Sequence, residues 1–104
     1  MKFPVLSVAD LGILLRATRK AQRIRIDDLA GSAGVGPVFV RDVEHGKPSV
    51  EFGRVLKLLV EIGIVITAEI PDSAHDELKH LQARGLRPLK SRTNRARKRP
   101  RDAE

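Results

Sequence analysis

The chain has 104 residues and a 41% hydrophobic fraction, enough for one buried core and a tail but not for two cores. It has no cysteine, which excludes disulfides, thiolate chemistry and sulfur-ligated zinc, and three scattered histidines argue against a structural metal. The formal charge of +7 points to an anionic partner, while no apolar run approaches the roughly 18 residues that a bilayer span needs.

The charge is unevenly placed. Residues 1–72 hold ten basic and nine acidic groups, and residues 73–104 hold ten basic and four acidic, so the excess lies in the last third. Half of the positions from Arg84 to Arg101 are Lys or Arg, with Pro88 and Pro100 interrupting any helix, and residues 86–104 are expected to be disordered in isolation. Met1 to Leu6 is too short for a signal peptide, which makes the cytoplasm the expected compartment.

Ser7 followed by Asp10 is a capping-box pattern, and Leu11, Leu14, Leu15, Thr18 and Ala21 recur at helical spacing, so a first helix is expected over 8–22. Its outer face carries Arg16, Arg19, Lys20 and Arg23. Asp27 and Asp28 suit a helix start and Gly34 a helix end, giving a short second helix over 26–33. Pro37 opens a third helix that Gly46 stops after His45. Ser49 is placed to cap a fourth, with Phe52, Val55, Leu56, Leu59, Val60 and Ile62 as its apolar face and Gly63 at its close. Residues 64–70 are rich in β-branched side chains and read as a strand, which needs Phe3 to Leu6 or its own copy in a second subunit as partner. Pairing across a two-fold axis would make Ile64, Ile66, Ala68 and Ile70 dimerisation residues. A capped amphipathic helix follows over 73–84, closed by Gly85. The expected organisation is a DNA-binding unit with its dimerisation strand over 1–70, a helix over 71–85, and a basic tail over 86–104.

The second and third helices are joined by about three residues, as in a helix-turn-helix. With Ile26 as the first position, Leu29 is fourth, Ala30 fifth, Gly34 ninth, Val35 tenth, Val40 fifteenth and Val43 eighteenth. A small fifth residue lets the helices approach, the ninth turns the chain, and the later aliphatics fix the third helix to the core.

The stretch LGILLRATRKAQRIRIDDLAGSAGVGPVFVRDVEHGKPSVEFGRVLKLLVEIGI resembles the lambda-repressor-like Xre family, and GVGPVFVRDVEHGKPS within it resembles HipB-type antitoxins. The resemblance covers about half the chain. It implies a mainly α bundle, a homodimer on palindromic operator DNA, and a HipA-type kinase toxin as a further partner. It places Gly36, Pro37, Val38, Arg41 and Asp42 at base-facing positions of the recognition helix. Gly, Pro and Val offer no side-chain hydrogen bond, which concentrates reading on Arg41, whose guanidinium can pair with guanine O6 and N7; Val38 is suited to a thymine methyl. Asp42 is placed either to accept from cytosine N4 or, in the favoured reading, to pair with Arg41 or cap the helix. Lys47, Arg16, Arg54 and Arg23 are the expected phosphate contacts. Ile26 stands where relatives place a polar cap. Arg19 and Glu44 correspond to an ion pair that joins the first helix to the recognition helix.

Three readings of the tail stay open: a DNA arm, a toxin-docking segment that orders on binding, and a solubilising extension. Enzymatic function finds no inventory, because His45, His75 and His80 are dispersed and neither a phosphate-binding glycine loop nor a serine elbow is present. No cofactor is expected. The leading reading is a sequence-specific regulator of double-stranded DNA, an autorepressing antitoxin. Its rivals are an antitoxin that mainly restrains a kinase toxin, and an RNA-associated basic protein reusing the fold.

Overall fold

The computed structural model describes residues 1–85, and the expected tail over 86–104 lies outside them. The chain divides into a unit over Met1–Thr67 and a second that begins at Ala68. In the first, four helices form a bundle: α1 over Val8–Ala21, α2 over Ile26–Ala33, α3 over Pro37–Glu44 and α4 over Phe52–Ile62. The hydroxyl of Ser7 accepts from the Asp10 amide, and the Asp10 carboxylate accepts from the Leu6 amide at 2.8 Å, so donors at the start of α1 are satisfied locally.

Apolar residues at helical spacing then meet in one core. Leu11 and Leu15 from α1, Leu29 and Ala30 from α2, Val40 and Val43 from α3, and Val55, Leu58, Leu59 and Ile62 from α4 are all buried in it. Both α1 and α2 pack against α3 and α4. Ala30 is buried in α2, the helix that packs against both α3 and α4.

The ends of all four helices share one device. A residue with positive φ follows the helix, and two amide N–H groups turn back onto its last carbonyls, at Gly34, Gly46, Gly63 and Arg23. Arg23 is the exception in chemistry, an L-residue at φ 59 where glycine fits without a Cβ penalty. Arg23→Gly is therefore expected to stabilise the fold by up to about 1 kcal/mol, seen as a higher urea midpoint at unchanged m-value.

Three expectations are corrected, on the cap of α4, its buried face and the cap of α5, and the strand expected over 64–70 is not formed within the described residues. The cap of α4 is Glu51, whose carboxylate accepts from the Arg54 amide at 2.9 Å, and not Ser49, which lies in the preceding turn. Its buried face includes Leu58, while Phe52, Leu56 and Val60 are exposed. Residues 64–70 form no ladder, and no strand occurs among the described residues. The amide of Ile64 is instead committed to the Leu59 carbonyl at 2.8 Å, and its side chain packs on the core as part of the α4 end. No backbone hydrogen bond joins residues 3–6 to residues 64–70, and Phe3, Val5, Val65 and Ile66 stay exposed. In the second unit, Ser73 sits in a 3-10 turn over Asp72–Ala74, and α5 over His75–Arg84 starts without a side-chain cap bond and buries no residue.

Candidate nucleic-acid interface

Helix α3 is two-faced because its inward positions fall at 40, 43 and 44. Val40, Val43 and Glu44 are buried; Gly36, Pro37, Val38 and Arg41 are exposed, and Asp42 is half-buried at the boundary. Pro37 stands at the first helical position, where its missing N–H and fixed φ suit the start of a helix, and no side chain caps this end. Arg41 makes no ion pair among the described residues, so its five N–H donors are open to solvent. The Arg41 carbonyl is engaged by His45, through the backbone amide at 3.0 Å and Nδ1 at 2.8 Å.

The expected pairing of Asp42 with Arg41 is not found. Neighbours on a helix point about 100° apart. The turn at Gly46 instead brings Lys47 back, its amide donating to the Asp42 carbonyl at 3.0 Å and its Nζ lying 3.6 Å from Asp42 Oδ2.

Behind the exposed face, Arg19 grips the last turn of α3. Its Nε and Nη2 donate to the two carboxylate oxygens of Glu44 at 2.6 and 3.1 Å, and Nη1 donates to the Ile24 carbonyl at 3.0 Å. One guanidinium thus ties α1, the α1–α2 turn and the end of the exposed helix. The Glu44 carboxylate holds the Arg19 guanidinium above its ordinary pKa, by hydrogen bonding first and charge second, against the opposing effect of burial.

No protein-family model matches the chain. It is 48% identical over 63 residues to the uncharacterized HTH-type transcriptional regulator y4mF of Sinorhizobium fredii, an overlap of 61% of this chain and 83% of that protein. The chain belongs to the HTH-type transcriptional regulators.

Other residues of this HTH-type regulator fall into place around that helix. The Arg54 guanidinium stands 5.8 Å from the centre of the half-buried Phe39 ring, a cation–π distance that holds it beside α3. Arg16 is exposed on α1 and Arg23 just beyond it, and neither makes an ion pair among the described residues. Ile26 packs on the core, and α2 begins from Arg25 without a side-chain cap hydrogen bond, leaving Asp27 and Asp28 in the first turn to complement the helix start by charge alone. No cluster of acidic, histidine or cysteine ligands occurs among the described residues, and none of their helices is long and apolar enough to cross a membrane.

Sequence reasoning passed over two residues that orient this face. Gly12 lies buried in α1 against the last carbonyls of α3, and Gln22 Nε2 donates to the Ile62 carbonyl at 3.2 Å, joining the ends of α1 and α4. A glycine inside an otherwise strong helical pattern was the available signal for the first. The second depends on a contact forty residues away and leaves no local trace.

Proposed function

We propose that the protein binds double-stranded DNA in a sequence-specific manner and represses transcription from it, as a homodimer of the lambda-repressor-like Xre type. Its closest functional type is the HipB antitoxin, with a HipA-type kinase toxin as protein partner. The observation that supports this reading is the exposed strip of α3, where Arg41, without an ion pair among the described residues, stands one turn beyond two apolar residues on a helix clamped from behind by Arg19 and Glu44. In the major groove Arg41 reads guanine, with Asp42 at the edge of the reading surface. Lys47, Arg54, Arg16 and Arg23 neutralise phosphates and set the register of the helix without reading sequence. The exposed side chains of Val65, Ile66 and Ile70 support two-fold pairing of residues 64–70 between copies.

The test is a titration of the protein against its own upstream DNA and a scrambled duplex at two salt concentrations. Arg41→Ala is expected to lose about 1–3 kcal/mol on the cognate duplex and little on the scrambled one. If the tail is a DNA arm, a chain ending at Gly85 binds both more weakly with a flatter salt slope, each lost phosphate contact removing about 0.9 from it. Arg41→Ala binding both duplexes as wild type does would overturn the assignment of Arg41. An unchanged slope on truncation would remove the tail from the DNA contact.

A further inference from the structure

We infer that Val38, backed by Pro37, recognises the C5-methyl group of a pyrimidine, within one or two base pairs of the guanine read by Arg41. The inference rests on the DNA-binding reading above and specifies what that site takes.

The argument starts from what the leading end of α3 lacks. Gly36, Pro37 and Val38 carry no side-chain donor or acceptor, Pro37 has no N–H, and no polar side chain caps this end. Val38 is nevertheless 64% exposed, with Phe39 and Val40 turned inward beside it, so its isopropyl group contributes nothing to the core. Major-groove edges are hydrogen-bonding surfaces with one apolar exception, the thymine methyl. Pressed against any other edge, Val38 would strip water from a donor or acceptor and offer no replacement bond. Pressed against the methyl, it removes apolar surface from water on both sides.

Spacing adds a geometric constraint. Val38 and Pro37 precede Arg41 by three and four residues, which puts all three on one side of the helix. At 1.5 Å of rise per residue they stand about 4.5–6 Å ahead of it along the axis. Base pairs are about 3.4 Å apart, so the methyl and the guanine must be near neighbours in the half-site. An apolar and a cationic reader one turn apart therefore demand a compact element of two unlike features.

The test begins with selection of duplexes from a randomised pool by wild-type protein, followed by resynthesis of the enriched duplex with deoxyuridine replacing single thymines. Deoxyuridine keeps every hydrogen bond and lacks only the methyl. One thymine within two base pairs of the required guanine is expected to lose about three- to tenfold in affinity on this change, and Val38→Ala is expected to bind both forms equally. Arg41→Ala should lose the guanine preference yet keep the thymine-to-uridine difference. Equal binding of thymine and uridine duplexes by wild type at every position overturns the inference alone, as does a difference that survives in Val38→Ala. A pool in which no sequence is enriched overturns the DNA-binding reading and the inference with it.

Discussion

Glu44→Ala is expected to remove about 3–5 kcal/mol from the stability of the fold, the range seen when one partner of a buried ion pair is deleted. The side chains of Arg19 and Glu44 are only 12% and 3% exposed, so the guanidinium left behind has little water to replace the two bonds it loses. Its third bond, to the Ile24 carbonyl, remains and holds the cation in place without neutralising it. Against a typical total of about 5–15 kcal/mol, such a loss brings the protein close to unfolding at physiological temperature. Urea denaturation should show a much lower midpoint at unchanged m-value. Replacing both partners by apolar residues, Arg19→Met with Glu44→Leu, should recover most of the stability, because no uncompensated charge stays inside. A single variant as stable as wild type would show that the pair contributes only orientation. The raised Arg19 pKa fixes the alkaline side of the pH profile: protonation favours the folded state, so this contribution is complete below the ordinary guanidinium range. It fades only as the pH climbs through the raised value, and stability from Arg19 should be flat across neutral pH.

What the sequence made legible follows the range of the forces involved. The span of α2 and the left-handed Gly34 that ends it are written in adjacent residues, Asp27 and Asp28 at one end and a glycine at the other. The exposed and buried positions of α3 follow from a period that only one side of the helix satisfies. Arg54, Lys57 and Glu61 mark one polar face of α4, but the apolar residues cover more than half of the helix, so periodicity alone could not choose between Leu58 on one side of that arc and Phe52, Leu56 and Val60 on the other; contacts with α1 and α2 make that choice. Ser49 and Glu51 are both able to cap, and the chain path through the preceding turn selects the second. The partner of Asp42 depends on the reversal at Gly46, which returns Lys47 to the helix end. Residues 64–70 have the composition of a strand, but a ladder needs a second strand, and the first residue of the run is taken by the end of α4.

Alanine placed at two helical glycines should move stability in opposite directions, with a gap of about 3 kcal/mol between the variants. In a helix interior Gly→Ala ordinarily gains up to about 1 kcal/mol, by reducing the freedom of the unfolded chain. Gly31 in α2 meets those conditions: a Cβ there has nothing within 4 Å, and the variant should be more stable. Gly12 in α1 does not. A Cβ at that position would overlap the Val43 carbonyl oxygen and lie 2.9 Å from the Glu44 carbonyl oxygen. These obstacles are backbone atoms, so no rotamer change relieves them, and α1 must separate from the end of α3. Overpacking of this kind costs typically about 1–3 kcal/mol, and an obstacle that cannot rotate away puts Gly12→Ala near the top of that range before the helix-propensity gain is subtracted. The displacement falls beside the Arg19–Glu44 bonds, so the Gly12 variant should also lose affinity for DNA at temperatures where it remains folded, while the Gly31 variant keeps it. Thermal melts of both proteins, paired with duplex titration below both melting points, separate the two effects. Equal stabilities would mean that α1 and α3 are not held at the close approach on which the orientation of the exposed helix depends.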